Sequence, residues 1–153
     1  MCIRDSIALD AARLAGDENY RMRMARQIAT RLDQGAHVLA CTSGADGAAV
    51  SIGASDTGPT DGRALAQACG DLLARVLATR PIKRLGIAGG DTSSHAVQAL
   101  QAWGLSYRAP LAPGVALCRL HSEQASLDGL EIMLKGGQMG AESLFEDLLA
   151  GTI

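Results

Sequence analysis

The sequence has few aromatic residues, no excess of basic charge and no long apolar run. Phe, Trp and Tyr make up 3% of the 153 residues, so small aliphatic side chains must build most of the core. Lys and Arg number 14 against 16 Asp and Glu, and the resulting net charge of −2 argues against nucleic acid as a partner. Because no apolar run approaches the ~20 residues that cross a bilayer, we expect no membrane segment.

The cysteines are also too scattered to form an obvious site. Cys2, Cys41, Cys69 and Cys118 contain no CxxC pair, whereas zinc sites and disulfide frameworks need different spacing. We therefore expect reduced thiols, which are typical of a cytoplasmic protein. No feature of the sequence indicates an oligomeric state.

Helical and strand patterns alternate along the chain, and 153 residues fit one domain. The patterns predict a single layered α/β domain with a mixed, partly parallel sheet flanked by helices. A long loop is predicted at 43–59, and Thr60 is expected to cap the helix that follows it. The predicted elements are a helix at Glu18–Asp33, a strand at 36–42, a helix at 60–80, a strand at 83–88, a helix at 93–103, strands at 105–109, 115–121 and 130–134, and a helix at 141–149.

The first candidate site is the turn between the strand at 83–88 and the next helix. Gly89 and Gly90 let the backbone approach a phosphate closely, and the helix start offers unpaired N–H groups. Thr92 or Ser93 can cap the helix or donate to a phosphate oxygen. Asp91 would repel a bare phosphate, so it indicates Mg²⁺, a ribose hydroxyl or a protonated neighbour. The alternative is a tight strand-to-helix turn with no ligand.

A second glycine-rich loop follows the strand at 130–134. Lys135, Gly136, Gly137 and Gly140 are its candidate nucleotide contacts, with Lys135 offsetting phosphate charge. Lys135 can instead be the solvated end of a strand.

Together the two loops are expected to form opposite walls of one nucleotide site. Neither is a Walker A loop or a GxGxxG turn, which argues against a nicotinamide-dependent dehydrogenase.

An ordered set of motifs resembles the C-terminal nucleotide-binding domain of the four-carbon acid sugar kinase family. The motifs are Gly89 to Ser93, Ala112-Pro113-Gly114-Val115 and the segment 134–140. Family members are ATP-dependent kinases that phosphorylate the terminal hydroxyl of threonate, erythronate or 3-oxo-tetronate. The resemblance implies ATP contacts at Gly89, Gly90, Asp91 and Thr92, with a further contact at Gly137.

The resemblance also implies a domain organisation. It covers residues 18–153, so residues 1–17 are expected to be a non-native or truncated lead-in. The sugar acid would be bound mainly by an N-terminal domain that this sequence lacks, and no residue here is assigned a catalytic role. The leading hypothesis is an ATP-binding kinase domain with Mg²⁺ on Asp91. The alternative is a non-catalytic nucleotide- or phosphate-binding regulatory module.

Overall fold

The computed structural model describes residues 5–42, 61–136 and 139–151, and these form six strands and five helices. None of the helices in these ranges is long and apolar enough to cross a membrane. In chain order the elements are β1 (Asp5–Ala8), α1 (Ala11–Gly16), α2 (Glu18–Asp33), β2 (Val38–Cys41), α3 (Gly62–Thr79), β3 (Arg84–Ala88), α4 (Gly90–Ala99), β4 (Ala102–Ala112), β5 (Val115–Ser122), β6 (Glu131–Lys135) and α5 (Leu144–Ala150).

The main sheet has four strands in the order β3-β6-β5-β4. β3 and β6 are parallel, whereas β5 is antiparallel to both of its neighbours. This confirms the predicted mixed, partly parallel α/β architecture. The structure differs in dividing its strands between two sheets, because β1 and β2 form a separate parallel pair.

Helices cover both faces of the main sheet, as strand alternation requires when both faces are apolar. On one face, α3 and α4 contribute Leu77, Ala96 and Leu100 to a core shared with Ile87 and Ile132. On the other face, α5 packs onto β5 and β6. The buried side chains there are Val115, Leu117, Met133, Leu144 and Leu148.

The segment before residue 18, expected to be a lead-in, contains a short strand and a short helix, β1 and α1. β1 pairs with β2, and Ile7, Leu9 and Leu14 are buried against α2 and α3. Short apolar stretches such as this one acquire regular structure through long-range pairing, which local patterns do not reveal. The domain boundary at residue 18 stays a prediction, but residues 5–16 share a core with the rest.

Helix α4 begins three residues earlier than predicted and ends four residues earlier. Gly90 and Asp91 already have helical geometry, and the helix closes at Leu100, where Gln101 has a positive φ of 51°. Trp103 and Gly104, predicted to end this helix, instead lie in β4, an 11-residue strand. Pairing with β5 therefore overrides the helical pattern at this point.

The remaining helices differ from prediction mainly at their starts. Asp61 caps α3 by accepting the backbone N–H of Arg63, while Thr60 and the predicted loop at 43–59 lie outside the described residues. Helix α5 begins at Leu144 rather than at Ala141. Gly35 follows α2 with a φ of 79°, which confirms the expected left-handed end of that helix.

Candidate functional site

The two glycine-rich loops leave the sheet side by side. β3 and β6 are parallel neighbours whose last residues, Ala88 and Lys135, are paired in register. The Gly89 N–H then donates to the Lys135 carbonyl at 2.9 Å. The structure therefore brings both predicted loops to the carboxyl end of the same strand pair, where open α/β sheets bind ligands.

Gly89 shapes the turn that opens helix α4. Its φ of 114° and ψ of 127° are a conformation that side chains with a Cβ rarely adopt. A Cβ at this position would also lie 3.3 Å from Thr92 Oγ1. Glycine is thus required by the backbone at this corner, whether or not a ligand binds.

The start of α4 differs from those of the first three helices. Aspartates cap α1, α2 and α3, since Asp10, Asp17 and Asp61 each accept a backbone N–H at 2.9–3.0 Å. α4 has Gly89 at this position and no side-chain cap. The N–H groups of its first turn have no intrahelical acceptor and lie at the positive end of the helix dipole. An anion can satisfy them.

The hydroxyl residues after the glycines have different surroundings. Ser94 is exposed, and its Oγ donates to the Gly90 carbonyl at 3.1 Å. Ser93 is 8% exposed, and its N–H donates to the Gly89 carbonyl at 2.8 Å. Within the described residues its Oγ has no hydrogen-bond partner. Ser93 therefore carries unmet hydrogen-bonding capacity on the buried side of the turn, which is unusual for a buried hydroxyl.

Asp91 is the acidic residue of the turn, and it is exposed in the first turn of α4. In the ranges that the structure describes, no group of three or more His, Cys, Asp or Glu residues could hold a metal ion by itself. Mg²⁺ commonly binds proteins through one or two carboxylates and takes its other ligands from substrate phosphates and water. An exposed aspartate at a helix start without a side-chain cap can supply one such carboxylate.

The second loop contributes mainly backbone to this edge. Lys135 is half-buried, and strand alternation places its side chain on the α5 face with Met133. Gly136 is exposed, with open space where a Cβ would be. Gly140 has a φ of 94°, and a Cβ there would lie 2.6 Å from Leu144 Cδ2. Gly137 lies outside the described residues.

A third segment reaches the same edge, and the predicted set of site residues did not include it. β5 pairs with β6 through Ala116 and Leu134, so the Pro113–Gly114 turn before β5 lies beside Gly136. Met139 covers this turn, because a Cβ on Gly114 would collide with Met139 Cε. In the sequence, the signal for Met139 is a large apolar residue within a glycine-rich loop.

Among the described residues, Cys41, Cys69 and Cys118 form no disulfide. Burial raises the pKa of Cys69 to about 11, so its thiol stays protonated and unreactive at neutral pH.

Comparison with known proteins identifies a kinase relative. The chain is 42% identical over 94 residues to a 3-oxo-isoapionate kinase of Paraburkholderia graminis. The match covers 59% of this chain but 19% of that kinase, so the chain spans about a fifth of its relative.

Two solved structures share the fold. A Haemophilus influenzae protein superposes with a TM-score of 0.69 at 22% identity, over 97% of this chain and 35% of its own. A Bordetella bronchiseptica protein of unknown function, solved with citrate as a domain-swapped dimer, gives a TM-score of 0.68 at 23% identity, over 94% of this chain and 33% of its own.

The family described as the nucleotide-binding C-terminal domain matches residues 2–145, which is most of the sequence. That range includes both glycine-rich loops and the ordered N-terminal segment. The chain therefore belongs to this family, the C-terminal domain family of the four-carbon acid sugar kinases.

Proposed function

We propose that this chain is the ATP-binding domain of a kinase that phosphorylates the terminal hydroxyl of a four-carbon sugar acid. The observation that carries the proposal is the uncapped start of α4 beside the end of β6. Its first turn has no side-chain cap within the described residues, the Asp91 carboxylate is exposed, and Gly90 and Gly136 leave open space for a ligand. Family membership and the kinase relative support ATP as that ligand.

Each residue of the turn has a chemical role in this proposal. The N–H groups of Gly90, Asp91 and Thr92 would hold phosphate oxygens, as helix starts commonly do. Asp91 would hold Mg²⁺, which neutralises phosphate charge when bound. Lys135 would add positive charge beside the phosphates. Phosphoryl transfer depends mainly on such positioning and charge stabilisation, so no nucleophile is needed in this domain.

The remaining predicted contacts have secondary roles. Gly136 and Gly137 would let the second loop approach the nucleotide, whereas Gly140 is already required by its packing on Leu144. The Ser93 hydroxyl would gain a hydrogen-bond partner on the buried side, through water or a ligand oxygen.

The acceptor is proposed to be a sugar acid such as threonate, erythronate or 3-oxo-tetronate. The relative named as a 3-oxo-isoapionate kinase supports a sugar acid as this acceptor. Because the chain spans a fifth of that relative, the acceptor would bind mainly to residues outside this sequence. A cytoplasmic location, where ATP is available, belongs to the same proposal.

Titration calorimetry with Mg²⁺ and ATP tests the nucleotide site. Gly90 and Gly62 are the first residues of α4 and α3, and both have open space where a Cβ would be. Gly90→Val should weaken ATP binding by at least about tenfold, because a branched side chain would occupy the approach to the N–H groups. Gly62→Val is the matched control and should bind as wild type does.

Asp91→Ala tests the contribution of the metal to ATP affinity apart from that of the backbone contacts to phosphate. This variant should lose most of the Mg²⁺ dependence of ATP binding, since it removes the carboxylate of the turn. If wild type, Gly90→Val and Asp91→Ala bind ATP equally well, the turn is structural and the site assignment is wrong.

A turnover assay tests where the acceptor binds. The 153-residue chain should bind ATP without phosphorylating a tetronate, because the acceptor contacts lie elsewhere. Robust phosphorylation of threonate or erythronate by this chain alone would contradict the proposal that the acceptor binds mainly to residues outside this sequence.

A further inference from the structure

Met139 is a large apolar side chain left in solvent at the ligand-binding edge. It is 47% exposed, whereas Met133, in the preceding strand β6, is fully buried. The other large exposed apolar residues are Met22 on α2 and three residues of β4. Among the described residues, Met139 is thus the one large exposed apolar side chain at this edge.

Met139 packs over the Pro113–Gly114 turn. Gly114 has a φ of 75°, and only the absence of a Cβ lets the Met139 methyl group lie over it. The Met139 N–H also donates to the Gly136 carbonyl at 3.3 Å. The thioether therefore lies over the Pro113–Gly114 turn and presents an apolar surface there.

This surface lies at a defined distance from the start of α4. β6 separates β3 from β5, since Lys135 pairs with Ala88 on one side and Leu134 pairs with Ala116 on the other. Two strand spacings amount to about 10 Å. A ribose and one phosphate group can bridge that separation between a phosphate bound at α4 and a base.

We propose that Met139 and the Pro113–Gly114 turn form the nucleobase subsite, with the adenine ring lying against the thioether. This inference rests on the proposed ATP site and names the residues of that site that would bind the base. A planar aromatic base needs an apolar surface, and the polarisable sulfur of methionine is well suited to contact an aromatic ring. The phosphates would lie at α4 on the β3 side, and the base on the β5 side.

Comparison of two ligands separates the contribution of the base to binding affinity from that of the phosphates. Calorimetry with ATP measures both halves of the site, whereas inorganic tripolyphosphate measures the phosphate half alone. Met139→Ala should weaken ATP binding roughly tenfold, as expected for losing the burial of most of one methionine side chain. Its affinity for tripolyphosphate should change by less than about twofold, within the scatter of a surface substitution.

Two further variants serve as controls. Met22→Ala removes an exposed methionine, 37% accessible, from α2 and should leave both affinities unchanged. Met139→Phe should restore ATP binding, because an aromatic ring also offers an apolar surface to a base. Thermal unfolding of each variant verifies that it is folded.

The outcomes distinguish this inference from the proposed function. If ATP binding survives Met139→Ala, or if tripolyphosphate binding falls equally, the nucleobase subsite is wrong and the phosphate site stands. If wild type binds tripolyphosphate as tightly as ATP, the base makes no contact and the inference fails. If wild type binds neither ligand, the proposed function itself fails and the subsite fails with it.

Discussion

The two ends of the β3–β6 strand pair are built in opposite ways. At the amino end, Arg84 is paired in register with Glu131, and its Nε donates to that carboxylate at 2.7 Å. Arg108 Nε lies 3.1 Å from the same carboxylate, and Arg84 Nη1 donates to the Leu148 carbonyl at 2.7 Å. At the carboxyl end, Ala88 and Lys135 are followed by glycines and an uncapped helix.

The difference predicts that stability and nucleotide binding depend on opposite ends of this strand pair. Side chains at the amino end satisfy each other and also hold the end of α5. At the carboxyl end, the first turn of α4 has no side-chain cap among the described residues. We therefore expect substitutions at the amino end to change the free energy of unfolding, and those at the carboxyl end to change nucleotide affinity.

The largest effect is expected at the amino end, from Glu131→Ala. Glu131 and Arg84 are only 16% and 25% exposed, so the variant leaves the Arg84 guanidinium poorly hydrated and without its carboxylate. Breaking a pair of this kind should lower the free energy of unfolding by about 3 kcal/mol. Urea unfolding measures this, with the exposed Glu142→Ala as control. ATP affinity should stay unchanged, and a parallel loss of affinity would remove the distinction between the two ends.

Gly86, midway along β3, should give the next largest effect. A Cβ there would lie 2.6 Å from Leu148 Cδ2 and 3.0 Å from Met133 Cε, so α5 can approach the sheet only over a glycine. Gly86→Val should destabilise the protein by about 2 kcal/mol through overpacking. Thermal or urea unfolding detects the loss. A variant as stable as wild type would show that α5 moves aside without cost.

The helix caps provide a smaller test of how the start of α4 differs from that of α3. Asp61→Ala removes the side-chain cap of α3 and should cost about 1 kcal/mol of unfolding free energy, while Asp61→Asn should restore most of it. In contrast, α4 has no side-chain cap to lose. Binding of Mg²⁺ and ATP at its first turn should instead raise the thermal stability of the protein. Hydrogen exchange at Gly90 to Thr92 would detect that protection. Equal exchange with and without nucleotide would contradict it.

The smallest effect on stability is expected when the pH is lowered. The backbone N–H of Tyr20 donates to Asp17 and holds the pKa of this helix-capping carboxyl below its usual value of 3.8. Below that pH the unfolded chain binds more protons than the folded one, so this contribution to stability is lost as pH falls. Asp17→Asn keeps an acceptor that does not titrate, and its urea midpoint should fall less steeply with acid. An identical pH dependence would show that Asp17 does not contribute.

Much of the binding edge was predictable because it depends on local chemistry. Gly89 and Gly90 between a strand and a helix indicate an open helix start, and the structure places them there. The apolar run before Lys135 predicted the neighbouring strand end. The helical pattern through Trp103 was misleading, because pairing with β5 draws that residue into a strand. Local propensity is a weak guide where a long-range pairing competes with it.

The sequence by itself determined the fold class, the two glycine-rich loops and the net charge of −2. These follow from composition, periodicity and backbone freedom, all of which act within a few residues. Only the tertiary structure decided that β6 lies between β3 and β5, that Met139 covers Gly114, and that Glu131 bonds to an arginine 47 positions away. Those features depend on the order and register of strands distant in sequence, and burial of side chains over the whole molecule sets that order.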